Sequence, residues 1–377
     1  MTNINKHTHV CHLVLGLPMG GTEGLVDIML RNPSRGFQTS VICLDEIGIL
    51  GEAAQRDGLS VVLIPRGKEF NWRVPFRVAR FAKKHAVDIL QCHHYTPWCY
   101  GALARFWYPR LRVIFTEHGR LYPDEPSVKR LMLNRVIRPL THEITAVSPY
   151  VAQALERVEH IPKHRIRIIF NGVDGSRFKN LPSKHELRGR LGLHDDLLYF
   201  ILCSRLDPIK WIDGLLAAFA RVLERLPNTG LLLVGDGEDK KRIGAEIKRL
   251  GLNAHVLLAG YQTNVPEWLA ASDVFVLSSY SEGTSVSLIE SMAAGLPSVV
   301  TKAGGNPFVV QDGLNGKVVP VRDVDALAAA MLSLAKDSQM RSRYSLNARR
   351  RFETEFTLSR MIDSYHRIYD LLLSERD

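Results

Sequence analysis

A chain of 377 residues, 46% hydrophobic and 23% charged, has globular composition and enough length for two sizeable domains, which excludes a disordered, fibrous or disulfide-scaffold protein. Its formal charge of +10 is concentrated in the N-terminal half, a field that attracts anionic substrates, nucleic acid or an anionic membrane surface without choosing among them. Cys11, Cys43, Cys92 and Cys203 lie in apolar runs and Cys99 in an expected helix, the placement of buried, reduced thiols.

Short apolar runs alternate with amphipathic segments along the whole chain, the pattern of parallel sheets with crossover helices, so the class is α/β. Strands are expected at residues 10–15, 39–44, 61–64, 89–92, 113–116, 144–147 and 166–170. A second set follows at 199–203, 231–234, 256–259, 274–277, 298–301 and 317–319. Between the sets, residues 171–192 are charged and turn-rich without an apolar period and are expected to be a hinge. Near the end, Met361, Ile362, Tyr365, Ile368, Tyr369 and Leu372 recur at helical spacing, an amphipathic helix that must dock. The expected domains are 1–172, with a terminal helix 356–377 docking on it, and 173–355. No apolar run approaches the ~18 residues of a membrane span. The polar first nine residues lack a signal peptide's apolar core, so a cytoplasmic location is expected.

After the first strand, Gly20-Gly21-Thr22-Glu23-Gly24 leads into a helix expected from about Leu25, which sets backbone amides at the carboxyl end of the sheet, a geometry suited to an anion. No Lys-Ser/Thr follows, so it is not a Walker loop, and it lacks the G-x-G-x-x-G spacing of dinucleotide folds. Asp45 at the end of the second strand keeps a dinucleotide-dehydrogenase reading open beside that of a plain tight turn. Gly235-Asp236-Gly237 is a weaker signal, since most such turns only link a strand to a helix.

The most informative stretch, residues 278–297, reads as strand, polar glycine loop and helix, with Thr284 or Ser285 as the cap and Gly295 and Pro297 at the end. Glu282 in the loop and Glu290 inside the helix flank one helix N-terminus. A phosphate on the amides of residues 283–285 would leave Glu290 for a ribose and Glu282 for a sugar hydroxyl. A competing reading makes Ser287 and Glu290 a capping box. Arg205 and Lys210 follow the first strand of the second sheet and would complement a pyrophosphate at the same edge.

His7, His9, Cys11 and His12 alternate along a strand, so no metal is expected there, and His93 and His94 are expected at the sheet edge. His118, beside Glu117 at a strand end, is open between a structural and a functional role. Residues 95–112 mix Trp98, Tyr100, Phe106, Trp107 and Tyr108 with Arg105, Arg110 and Arg112, and Lys129, Arg130, Arg135 and Arg138 follow. Peripheral binding to anionic lipid stands there against a solvated helix, and no nucleic-acid motif accompanies the charge.

Taken together, Gly20-Gly21-Thr22-Glu23, Thr116-Glu117-His118-Gly119, Asn171-Gly172-Val173-Asp174, Ser204-Arg205 with Lys210, Gly235-Asp236-Gly237, Glu282 with Glu290, and Gly304-Gly305-Asn306-Pro307 resemble the retaining family-four nucleotide-sugar glycosyltransferases almost end to end. The Glu-x7-Glu block with its Arg/Lys partner is the specific part; the glycine turns alone are not. The resemblance implies the GT-B fold, two Rossmann-like doubly wound domains facing a cleft, with a C-terminal helix crossing back to the N-terminal domain.

It further implies retaining, metal-independent transfer from a nucleotide-sugar donor, most often a UDP-sugar, to a glycan or lipid-linked acceptor. Arg205 and Lys210 would neutralise the donor diphosphate, and Glu290 would hold the ribose. Glu282, with the amides of Gly283, Thr284 and Ser285, would grip the transferred sugar. His118 would reach the reaction centre, and Gly20 and Gly21 would face phosphates or acceptor. No metal or other cofactor is expected, and no paired nucleophile and acid of the hydrolase kind is visible, so same-face attack assisted by the leaving phosphate is the expected mechanism. One position differs: the family commonly has Glu after Gly-Gly-x-Pro, and this chain has Phe308. A catalytically silent partner subunit and an epimerase or phosphorylase on a similar scaffold are the competing classes.

Overall fold

Parallel strands buried on both faces read as unbroken apolar runs, and that is how the two sheets of this chain are built. In the computed structural model, which describes residues 8–33, 36–119 and 124–374, the first sheet has seven strands. They are β1 (Thr8–Val14), β2 (Phe37–Cys43), β3 (Val61–Leu63), β4 (Ile89–His93), β5 (Arg112–Glu117), β6 (Glu143–Ala146) and β7 (Ile166–Ile168), in the order 3-2-1-4-5-6-7. The second has β8 (Leu198–Cys203), β9 (Thr229–Val234), β10 (Val256–Gly260), β11 (Val274–Leu277), β12 (Ser298–Thr301) and β13 (Gly316–Val319), in the order 10-9-8-11-12-13. Strand order reverses between β1 and β4 and again between β8 and β11, and ligands of such sheets bind at the carboxyl ends beside that switch. Two compact units result, Met1–Asn171 with Met361–Asp377, and Gly172–Arg360.

One face of the first sheet carries Cys11, Leu13, Leu90, Cys92, Val113 and Phe115 into an apolar core. The helix Tyr95–Ala104 covers it and is buried almost all round. Its Trp98 stacks on Phe115 with ring centroids 4.2 Å apart and donates its Nε1–H to Thr141 Oγ1 at 2.7 Å. Trp98 and Tyr100 are therefore core residues and not part of an interface. All five cysteines are free and buried, and burial pushes the thiols of Cys11, Cys43 and Cys99 up to about 12.

The opposite face packs Val14, Val41 and Cys43 into a second apolar cluster and is polar at its centre. Gln91 Nε2 donates to Thr116 Oγ1 at 2.9 Å, Thr145 Oγ1 donates to Thr116 Oγ1 at 2.8 Å, and Tyr369 of the terminal helix Leu358–Ser374 donates to Gln91 Oε1. Buried polar groups persist only when paired in this way. The same helix buries Met361, Tyr365, Ile368 and Leu372, so its apolar stripe and tyrosine hydroxyls seat together.

Two expectations need correction. The helix after β1 begins at Gly21, not near Leu25, because Gly20 serves as its extended N-cap. Residues 171–192 are not a bare hinge. They contain the helix Lys184–Leu191, opened by a capping box between Ser183 and Glu186 and closed by left-handed Gly192. Arg188 of that helix is buried and donates to Asp273 Oδ2 at 2.8 Å, which ties the segment into the second unit. Among the described residues no helix is long and apolar enough to cross a membrane.

Candidate functional site

The loop after β8 carries the two expected cations to the carboxyl edge of the second sheet. Arg205 is exposed and its Nε donates to Asp207 Oδ2 at 2.7 Å. Lys210, in the short turn Pro208–Lys210, donates from Nζ to Glu282 Oε1 at 2.7 Å, and Ser279 Oγ donates to the same oxygen at 2.6 Å. The Lys210 and Glu282 side chains are only 16% and 9% exposed, so this pair is largely desolvated. Each cation thus has a resident carboxylate. An incoming diphosphate would share Lys210 with Glu282, and the added negative charge would rely on Arg205 and on the amides of the neighbouring helix.

That helix is Val286–Ala293. Its cap is Ser285, whose Oγ accepts from Leu288 N at 3.3 Å. Thr284 precedes it and does not cap, and Gly283 to Ser285 lead directly into the free amide end. Glu290 makes no capping box with Ser287; its Oε1 instead accepts from Arg177 Nη1 at 3.2 Å. Burial raises the Glu290 carboxyl above its ordinary value, and the charge of Arg177 opposes that rise. A largely desolvated carboxylate whose one ion-pair partner is Arg177 has acceptor capacity left for a pair of hydroxyls. Arg177 was not anticipated, and no local pattern marks it.

The glycine turns that looked like generic links hold these loops. A Cβ on Gly235 would lie 1.9 Å from Ser204 O, one on Gly237 2.2 Å from Leu206 O, and one on Gly304 1.9 Å from Glu282 O. Each glycine lets one backbone rest against another, so Arg205 and Glu282 are both set by contacts only Gly permits. Ser204 Oγ, Asp207 Oδ1 and Asn306 Oδ1 are buried here without hydrogen-bond partners. Such orphans cost about 1–3 kcal/mol each unless a ligand or water meets them. Phe308 sits half-buried on the helix Asn306–Val309, with its carbonyl accepting from Arg351 Nη2 at 2.8 Å.

In the first unit Gly20 is extended, and a Cβ there would lie 2.1 Å from Glu23 Oε2. Gly20 and Gly21 are exposed and the Glu23 carboxylate folds back over them, so this turn offers an acid beside its amides. That suits hydroxyls better than phosphate. His118 follows β5 and is buried, with Nε2 2.8 Å from His93 Nδ1 and with Nδ1 unpartnered. Its neighbour Glu117 meets His94 Nδ1 at 3.0 Å. Burial pulls His94 down, but Glu117 outweighs it and leaves its pKa raised. His94 has φ 71° and ψ 168°, a region that only glycine adopts freely, so strained backbone stands beside His118.

His93 is not at a sheet edge. It ends the central strand β4, is fully buried, and also lies 3.0 Å from His12 Nδ1 through its Nε2. His9 contacts Ser40 Oγ and His85 O, His7 lies outside the described residues, and among the described residues no cluster of three His, Cys, Asp or Glu is arranged for a metal. The basic residues thought to face a membrane also divide. Arg130 pairs with buried Glu159 at 3.2 Å and covers the Tyr95 ring, and Arg105 donates to Leu140 O. Phe106 and Trp107 remain exposed.

Comparison with known proteins agrees with this architecture. The profile of glycosyltransferase family 4 matches residues 20–177, and that of the glycosyl transferases group 1 matches residues 183–351. The chain is 28% identical to N-acetyl-alpha-D-glucosaminyl L-malate synthase of Bacillus anthracis over 80% of its own length and 79% of that protein. It is 30% identical to the lipopolysaccharide core biosynthesis glycosyltransferase LpsE of Rhizobium meliloti over 78% of each. Among solved structures, Anabaena HepE in complex with UDP superposes with a TM-score of 0.84 at 23% identity, over 96% of this chain and 100% of that one. The chain belongs to glycosyltransferase family 4 and is a glycosyltransferase with the GT-B fold.

Proposed function

We propose that the chain transfers a sugar from a UDP-sugar to a glycan or lipid-linked acceptor, with retention of configuration and without a metal ion. The observation that carries this is the charged pair Lys210–Glu282 set against the free amide end of Val286–Ala293, with Arg205 beside it. HepE, which was crystallised with UDP, and LpsE, named for lipopolysaccharide core biosynthesis, support the donor and acceptor classes. In this mechanism the bond from the anomeric carbon to the diphosphate breaks, and its electron pair leaves on phosphate oxygen. The acceptor oxygen forms its bond on the same face and gives its proton to that departing oxygen. Arg205, Lys210 and the helix end stabilise the leaving charge, in place of a metal.

Glu282 and the amides of Gly283, Thr284 and Ser285 orient the sugar, Glu290 takes the ribose hydroxyls, and His118 serves the sugar being transferred. Gly20 and Gly21 serve acceptor hydroxyls. The test is a thermal-shift series with UDP, GDP, ADP and their sugar conjugates in EDTA. UDP and one UDP-sugar should raise the melting temperature, and Arg205→Ala should abolish the shift. A shift that needs added Mg²⁺ would end the metal-independent reading, and no shift with any nucleotide would favour a silent subunit.

We also propose that the protein works in the cytoplasm at the inner face of a membrane, a reading that its buried free thiols support. The helix Arg73–Lys84 turns Arg73, Phe76, Arg77, Arg80, Lys83 and Lys84 outward, next to exposed Trp72, Phe106 and Trp107. Phe76 and Trp107 meet edge to face with centroids 6.1 Å apart. Aromatic rings ringed by cations match an anionic lipid surface. The protein should float with vesicles containing anionic lipid and not with neutral ones, and Phe76→Ser/Trp107→Ser should release it. Equal recovery with both vesicle types would remove the proposal.

A further inference from the structure

Three imidazoles cross the first sheet in contact: His12 on β1, His93 at the end of β4 and His118 just past β5. His12 Nδ1 lies 3.0 Å from His93 Nε2, and His93 Nδ1 lies 2.8 Å from His118 Nε2. All three are buried, at 1%, 1% and 9% exposure. Burial holds them neutral, bringing His12 down to about 4 and His93 and His118 well below the ordinary histidine value. The far end of the chain, His118 Nδ1, is buried with no partner.

Each nitrogen-to-nitrogen contact holds one proton, and each neutral ring carries one. His93 must then donate at one nitrogen and accept at the other, so both contacts run in the same sense. Either every ring is protonated on Nε2, which leaves a bare lone pair at His118 Nδ1, or every ring is protonated on Nδ1, which leaves an N–H there. The first arrangement wins on two counts. It uses the form that free imidazole side chains prefer in all three rings, and it orphans an acceptor, which proteins tolerate better than an orphaned donor.

We infer that His12 and His93 are positioning residues that lock His118 with its Nδ1 lone pair unprotonated, making it a hydrogen-bond acceptor for a hydroxyl of the transferred sugar. This rests on the role given to His118 above. The His94–Glu117 pair acts in the same sense: His94, whose ring lies 5.3 Å from that of His118, disfavours a second proton on His118.

The experiment is side-chain nitrogen NMR of histidine-labelled protein at neutral pH, with His118 assigned through His118→Gln. The expected spectrum shows Nε2 protonated and Nδ1 bare for His118. His93→Leu should blend the two His118 forms and lower the rate of UDP release from the UDP-sugar that gives the largest thermal shift by about 10- to 100-fold, with KM held within about threefold. His93→Asn, which keeps an acceptor oxygen where Nδ1 stood, should restore both, while UDP binding checks the fold of each variant. A protonated His118 Nδ1, or a His93→Leu protein with unchanged spectrum and rate, overturns the inference. Absence of UDP binding and turnover in the unaltered protein would instead sink the transferase role of His118, and the spectrum would still decide the tautomer.

Discussion

Lys210 and Glu282 show how one contact serves both stability and chemistry. The pair is largely desolvated, so removing one partner strands the other. Lys210→Met should cost about 3–5 kcal/mol of unfolding free energy by urea denaturation, and Lys210→Met/Glu282→Gln should regain most of it without regaining activity. Arg205→Ala, at an exposed position, should change stability by less than about 0.5 kcal/mol while losing UDP. If the double variant is no more stable than the single one, the pair is not what holds the loop. The two glutamates were legible from their spacing around a helix start. Arg177 was not, because its contact with Glu290 spans a separation in sequence that no periodicity records. The histidine chain was hidden for a related reason: His12, His93 and His118 become neighbours only through the order of β1, β4 and β5.

Among the loops and helices, glycine decides how closely the site is drawn together. Gly304→Ala combines φ +51° with a Cβ 1.9 Å from Glu282 O, whereas Gly313→Ala at φ +76° meets open space. The second change should cost only the backbone strain of about 1 kcal/mol and leave UDP binding intact. The first should cost more and weaken UDP binding, since Glu282 must move. Equal losses in calorimetric UDP titrations would mean that the close approach has no bearing on the site. The strands were legible because buried parallel strands are continuous apolar runs, and their observed limits differ from the expected ones mainly at the ends. The helix Lys184–Leu191 was not, because it is short and polar and buries little besides Leu187 and Arg188. Its one sequence signal was Ser183 followed by Glu186. The helix Tyr95–Ala104 misled in the other direction: aromatic and basic residues adjacent in sequence divide between core and surface once the helix ends at Ala104.

Titration distinguishes the two units. His9, His12, His93, His118, His142 and His366 belong to the first, and burial lowers all six, His12 and His142 to about 4 from an ordinary 6.5. A folded-state pKa below the unfolded one contributes stability that is fully present above 6.5 and is lost as the pH falls toward 4. His94 is raised and works oppositely, with its contribution present below 6.5 and lost as the pH rises through its folded value. One such group does not offset six. In the second unit Glu290 is raised by burial, so its contribution grows on acidification, being fully present below 4.5 and lost as the pH rises through its folded value. The first unit should therefore unfold first between about pH 6.5 and 4, leaving the second folded and still binding UDP. Hydrogen exchange across that range should show β1, β4 and β5 losing protection before β8 and β11. Simultaneous loss in both sheets, or a first sheet unaffected at pH 4, would mean that the buried histidines do not govern acid stability.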